Sequence, residues 1–400
     1  MNWVAMGRRK QLAAGVFLLA MTLSNLVTAF KLAPQLRNGY QNFTMFYAAA
    51  RMVRGGQSAA LYDLSATSRA QEEFAPNVRI RQAALPYMHP PFEALLFVPF
   101  TFLPYVPAYL LWNILNGMLV FASLVLLRRQ FAEIGNLPFA FLVLAAAGFL
   151  PVASGIVQGQ DSNLLLFLFV VALTAAERGN DAAAGAALAA GLFKFNLVLP
   201  FVFLLATKRP RLLLGFAPVA ALLGGISLAM VGWHGAVGYV PYLFRLENTG
   251  AGGAIVSAAM PNLRGILASL AGVHNGASLM PLTIACSAVV VAIATWRIAL
   301  IRDSVCGVFV LATATAILVS YHTFSYDLSL LLPAALLLFA APDRESSRPS
   351  QADVVLLVLL FVAPLFEPFW PHVNQFGWPV VILGWFLWKF GWDSVAEPAS

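Results

Sequence analysis

Apolar residues run in long blocks along this chain, separated by short polar stretches in which Lys and Arg recur. A helix needs about 20 apolar residues to cross the hydrocarbon of a bilayer. Blocks of that kind fall at 11–30, 106–127, 137–155, 163–177, 211–231, 279–299, 305–320, 327–341, 353–369 and 376–392. The stretch AAAGAALAAGLFKFNLVLPFVFLLAT, residues 182–207, is too long for one helix and Lys194 interrupts it. It predicts two short segments meeting at Lys194 and Asn196. The pattern therefore predicts an all-α polytopic membrane protein with about twelve spans, forming one domain over residues 1–400. The first block, in GRRKQLAAGVFLLAMTLSNLVTAF, is long enough to span and no A-x-A cleavage site follows, so it reads as an uncleaved helix.

Two longer loops interrupt the alternation, at 31–105 and 232–278. In the first, NFTMFYAAARMVRGG predicts a short amphipathic helix opened by Asn42 and closed by Gly55. Phe43, Phe46, Tyr47 and Ala50 share one face, which places the helix in the membrane interface with its aromatics in lipid. HPPFEALLFVPFTFLP is apolar but broken by prolines, and is expected to dip into the headgroup zone. In the second loop, GAGGA at 250–254 lacks the spacing of a dinucleotide-binding turn and reads as a flexible loop.

Composition agrees with lipid as the main solvent: 60% of residues are hydrophobic and 10% charged, against roughly 25% charged in soluble domains. The net charge of +7 does not point to nucleic acid, because the basic residues sit at the ends of apolar blocks. Arg8, Arg9, Lys10, Arg128, Arg129, Arg178, Lys208, Arg209, Arg211, Arg302, Arg344 and Arg348 fall on one side of the alternation. That side is assigned to the cytoplasm, with both termini, and the two long loops to the outer face of the plasma membrane. Cys286 and Cys306 lie in predicted spans, so neither a disulfide framework nor a Cys-based metal site is expected. There is no P-loop, no H-E-x-x-H and no His/Asp/Glu set at metal-ligand spacing, so no cofactor is expected and no metal site is suggested, the metal requirement being left open.

Most polar groups at membrane depth gather on the outer side: His89, Gln158, Gln160, Asp161, Asn163, Lys194, Asn196, Arg264, His322, Tyr326 and Asp327. Ionisable residues at that depth are costly and tend to face a cavity. Each has a plainer reading. Asp161 or Ser162 in GQDSNLLL and Asp327 in HTFSYDLSLLLP suit helix caps, and Arg264 in MPNLRG suits an interfacial anchor. Lys194 can snorkel to the surface or bind an anion where the helix breaks. The His89-Pro90-Pro91 turn suits a structural role.

Taken in order, NFTMFYAAARMVRGGQSAALYD, YMHPPFEALLFVPFTFLPYVPAYLLW, GQDSNLLL, GLFKFNLVLPFVFLLATKRPR, MPNLRG and HTFSYDLSLLLP resemble the polyprenyl-phosphate-hexose-dependent glycosyltransferases of family 87, which have the GT-C membrane fold. The resemblance implies an inverting hexosyltransferase. It would move a hexose, mannose in the better-known members, from a polyprenyl phosphate to a lipid or glycan acceptor at the outer face. Lys194, Arg264 and His322 would attend the donor phosphate, with Tyr326, Asp327 and His89 beside them. Gln160, Asp161 and Asn163 would meet sugar or acceptor hydroxyls. In the family the residue that opens the first-loop helix is typically an aspartate and the expected base; here it is Asn42. An amide takes no proton at neutral pH. Asp63 in LYDL or Asp161 would then serve as base, or the chain binds lipid-linked sugar without turning it over. A lipid or solute transporter is the alternative class, since broken helices suit transporters too.

Overall fold

The computed structural model describes residues 7–34, 39, 42–74, 85–249, 256–273, 276–301, 304–340, 351–363 and 381–382. Among these, every regular element is helical. In chain order the α-helices are α1 (Arg8–Leu32), α2 (Phe43–Arg54), α3 (Leu64–Glu72), α4 (Pro91–Phe97), α5 (Tyr105–Gln130), α6 (Ala132–Gly135), α7 (Phe139–Gly148), α8 (Leu150–Gln158) and α9 (Ser162–Glu177). They continue as α10 (Asp181–Ala190), α11 (Phe195–Lys208), α12 (Leu213–Thr249), α13 (Leu263–Leu270), α14 (Met280–Leu300), α15 (Val305–Val319), α16 (Leu331–Ala340) and α17 (Gln351–Val362).

Among the described residues, four helical segments are long and apolar enough to cross a membrane: α1, α5, the α12 region and α14. The count is six if each of two bent pairs is one span, α7 with α8 (64°) and α10 with Leu192–Lys208 (63°). The apolar blocks predict about twelve over the whole chain, and the smaller count among the described residues has a physical cause. Blocks such as 163–177 and 305–320 form helices of 16 and 15 residues, largely buried by protein. Their apolarity serves the protein core rather than lipid. The block at 137–155 is broken because Pro151, in the first turn of α8, has no N–H to continue α7. The break at 182–207 falls as expected: a 3-10 turn, Leu192–Lys194, separates α10 from α11. The second long loop begins later than expected, since α12 runs on to Thr249 across a kink at Gly232 (φ 67°). The stretch 250–254, the block at 376–392 apart from 381–382, and Arg302, Arg344 and Arg348 lie outside the described residues.

Small residues set the closest helix crossing. A side chain on Gly185 of α10 would overlap the Leu212 carbonyl, and one on Gly215 of α12 would overlap that of Ala182. Such crossings are how helices in lipid gain packing without a hydrophobic driving force. Asn25 of α1 donates from Nδ2 to the Ala147 carbonyl of α7 (2.9 Å), which satisfies a polar group that lipid would leave bare.

The first loop forms a compact cap with its own aromatic core. Phe43, Phe46, Tyr47 and Ala50 of α2 are buried, together with Tyr87, Phe97 and Trp112. Phe46 stacks on Phe97 (4.6 Å between centroids), and Phe97 meets Trp112 edge-on (4.7 Å). The aromatics of α2 therefore pack on α4 and α5 rather than in lipid. The α4 segment is the other half of that core, through Ala94 and Phe97, while Leu95, Leu96 and Phe102 stay exposed on its outer side.

Long α5 relates the two ends of the molecule. Its 26 residues rise about 39 Å. Near its start, Tyr109 donates to the Val157 carbonyl (2.6 Å) and Trp112 Nε1 to that of Gly159 (3.0 Å). At its far end Arg178 Nε donates to Gln130 Oε1 (2.8 Å). Arg209 pairs with Asp181 (2.6 Å) and Lys208 donates to Ala299 at that same end. The basic helix ends thus gather at one pole, and the turn after α8 lies at the other.

Candidate functional site

The turn between α8 and α9 is built to deliver Asp161. Gly159 ends α8 at φ 63°, and a Cβ there would stand 2.7 Å from that of Phe43. Only glycine fits both the left-handed backbone and the approach of α2. Asp161 follows with no side-chain capping bond, so its carboxylate is not used as a helix cap. It is fully buried and ion-pairs through Oδ1 with Lys194 Nζ at 3.0 Å.

Lys194 stands at the break between α10 and α11 and is itself buried. Its ammonium also meets Asp327 Oδ1 at 2.6 Å and lies 5.0 Å from the Tyr326 ring centre. It neither snorkels nor stands free for an anion, because two carboxylates already hold its charge. Asp327 does cap: its Oδ2 accepts from the Phe324 amide (2.9 Å). Its Oδ1 serves Lys194 and also accepts from Ser162 Oγ (2.8 Å). Three breaks in helix geometry, at 159–161, 192–194 and 320–325, converge on this buried ion triad.

His89 and Glu93 complete the cluster from the cap. His89 Nδ1 lies 3.0 Å from Glu93 Oε2 and 3.6 Å from Asp161 Oδ2. Pro91 starts α4, which places Glu93 one turn after His89. Tyr87 donates to Glu93 Oε2 at 3.2 Å and to the Pro90 carbonyl at 3.0 Å. Glu93 also lies within hydrogen-bond reach of Asp161. Burial pushes the His89 imidazole down to about 4, so the ring is neutral near pH 7.

The strand of chain 320–324 forms the neighbouring wall. Asn196 donates to Ser320 Oγ (2.8 Å) and to the His322 carbonyl. Asn262 donates to the Ser320 carbonyl (2.8 Å), and Arg264 Nη1 to that of Tyr321 (2.9 Å). Arg264 is buried over the Tyr321 ring, 4.2 Å from its centre, which is not the setting of an interfacial anchor. The His322 ring packs edge-on against Phe324, and its Nδ1 is buried without a hydrogen-bond partner. Asn42 does not cap α2; its side chain hydrogen-bonds Tyr326, at the edge of the cluster.

Of the residues singled out from sequence, His89, Asp161, Lys194, Tyr326 and Asp327 form one contiguous group, with Asn42 and His322 beside it. Gln160 is buried next to Asp161, and its Oε1 has no partner. Asn163 lies apart: its amide donates to the Val152 carbonyl (3.3 Å) and ties α9 to α8. Asp63 also lies apart. It caps α3, accepting from the amides of Ser65 (2.8 Å) and Ala66 (3.3 Å), and it is exposed. Sequence reasoning missed Glu93 and read Ser162 only as a cap. The signal for Glu93 was present: a lone carboxylate inside PFEALLF, one helical turn after a histidine.

A many-helix apolar body with a capped, buried charge cluster at one pole and basic helix ends at the other defines a multi-pass membrane protein with a polar site at one face. The chain matches glycosyltransferase family 87 over residues 87–321 and belongs to that family. That match runs from the Tyr87 start of the cap segment to the wall beside His322. The chain is also similar to the polyprenol-phosphate-mannose-dependent alpha-(1-2)-phosphatidylinositol pentamannoside mannosyltransferase of Mycobacterium tuberculosis. The two are 24% identical over 310 residues, covering 76% of this chain and 69% of the relative. No solved structure matches. The protein is thus a membrane glycosyltransferase by family.

Proposed function

We propose that the protein is an inverting, GT-C-type hexosyltransferase that moves mannose from a polyprenyl phosphate to a lipid-linked or glycan acceptor at the outer face of the plasma membrane. The donor class is supported by the printed dependence of the mycobacterial relative on polyprenol-phosphate mannose. The observation that carries the reading is the buried group Asp161–Lys194–Asp327 with His89 and Glu93, at the pole opposite the basic helix ends.

In this reading the acceptor hydroxyl attacks the anomeric carbon as the bond to the phosphate oxygen breaks. The leaving electron pair stays on the lipid phosphate. The hydroxyl proton passes to the facing carboxylates of Asp161 and Glu93, acting as one unit in place of an aspartate at position 42. His322, whose Nδ1 has no partner, and the Arg264 guanidinium behind its loop stabilise the departing phosphate. Lys194 fixes Asp161 and Asp327 in place.

The test is release of polyprenyl phosphate, with equimolar hexose transfer, when purified protein meets polyprenyl-phosphate mannose and a glycolipid acceptor mixture. Release that depends on acceptor supports the reading. Donor movement between leaflets without cleavage would replace it with the transporter class.

A further inference from the structure

Three acceptor groups face one another at the top of the cluster. Glu93 and Asp161 are both buried, within hydrogen-bond reach of each other, and when both are ionised neither has a proton to offer. His89 hydrogen-bonds the main chain of Phe193 through its ring, while its Nδ1 makes no hydrogen bond, although Glu93 Oε2 stands at 3.0 Å and Asp161 Oδ2 at 3.6 Å. Glu93 Oε1 is likewise buried without a partner. Such a convergence of lone pairs is stable only if a proton or a cation sits among them.

We propose that His89, Glu93 and Asp161 form a binding site for one divalent transition-metal ion of the Mn2+ or Zn2+ class. One ligand atom from each residue can be chosen so that all lie within 4.8 Å of one another, close enough to share an ion. One imidazole nitrogen with two carboxylates selects this class over Mg2+ or Ca2+, which prefer oxygen alone. The surroundings match a metal histidine: the ring is oriented by a bond to a main-chain group, and Tyr87 holds Glu93 Oε2 at 3.2 Å. Charge agrees as well. With an ion bound, ionised Glu93, Asp161 and Asp327 would bring three negative charges against the one positive charge of Lys194. A divalent ion balances the remaining two.

Three protein ligands leave open positions on the ion. A hydroxyl bound there would have a lowered pKa, so carboxylates weakened by coordination would suffice to take its proton. The site would in that way offset the amide at position 42. The binding claim itself does not rest on the proposed transfer reaction.

The test uses full-length protein in detergent, stripped with chelator and titrated with Mn2+ by electron paramagnetic resonance and with Zn2+ by calorimetry. No donor or acceptor is present, so a failed transferase assay and a failed metal site are separate results. The expected outcome is one ion per chain, weakened at least about tenfold by Glu93→Gln and by His89→Gln, and unchanged by His234→Gln on the exposed face of α12. Melting without metal checks that the variants fold; if they do not, the wild-type titration alone decides. No stoichiometric ion in wild type overturns the proposal, as does binding that both variants retain. So does a protonated-carboxyl infrared band that Glu93→Gln removes and Mn2+ does not, because the positive group would then be a shared proton.

Discussion

Lys194 shows how much one side chain can hold. Two buried carboxylates meet its ammonium at 3.0 and 2.6 Å. Removing one member of such a group strands the others in a medium that solvates them poorly. Lys194→Met is therefore expected to cost about 3–5 kcal/mol of stability, read from denaturant unfolding in detergent. A cost under about 1 kcal/mol would mean that the cluster is well hydrated. His322 is the opposite case. Its Nδ1 has no partner to lose, so His322→Ala should leave melting nearly unchanged while raising the KM for polyprenyl-phosphate mannose. An unchanged KM would remove His322 from the phosphate site. The same contrast explains what was legible at this scale. Asp161, Lys194 and Asp327 stood out because charges in apolar runs are costly. Glu93 did not, because HPPFEALLF was taken for an apolar segment, and its approach to Asp161 is a contact between residues far apart in sequence. Asp63 drew notice as an outer carboxylate, yet LYDLSA is also an N-cap signal, and the cap reading is the one the structure shows.

At the scale of elements, caps and crossings decide. The Ser65 hydroxyl and the amides of Ala66 and Ser65 hold the Asp63 carboxyl below the usual aspartate range. A carboxyl lowered in the folded state contributes stability above its unfolded value, and the contribution is lost as pH falls through the folded value. Asp63→Ala should thus cost about 1 kcal/mol at neutral pH, with the gap to wild type closing in acid and with transfer activity retained. Loss of activity with an intact fold would restore Asp63 as a base. Helix existence was readable from apolar blocks, and the break at Lys194 from a charge within one. Helix length was less so, because burial in protein and exposure to lipid select the same residues. The α10–α12 crossing depends on glycines that block reading passes over. Gly185→Val forces α10 off the Leu212 carbonyl, and overpacking of this kind typically costs about 1–3 kcal/mol. A lowered melting temperature with the donor KM unchanged is expected, since the crossing lies away from the cluster.

For the whole molecule, the proposed chemistry requires that the charge cluster and the basic helix ends face opposite compartments. The structure separates them along α5, whose start is pinned beside Gly159 and whose end meets Arg178. Among the described residues no contact says which pole faces the cytoplasm; the asymmetry of Lys and Arg is the ground on which the proposal assigns the basic pole to it, because such residues tend to be retained on the inner side. The cap bears on this too. Its aromatic core around Phe46, Phe97 and Trp112 is buried by protein, so the cap travels to one face together with the site it covers. The assignment can be read directly in a Cys286→Ser, Cys306→Ser background. Arg69 is exposed on α3 of the cap, and Arg129 is exposed at the end of α5. Arg69→Cys should react with a membrane-impermeant maleimide in intact cells, and Arg129→Cys only after the membrane is opened. The reverse pattern would place the cluster in the cytoplasm and exclude transfer at the outer face.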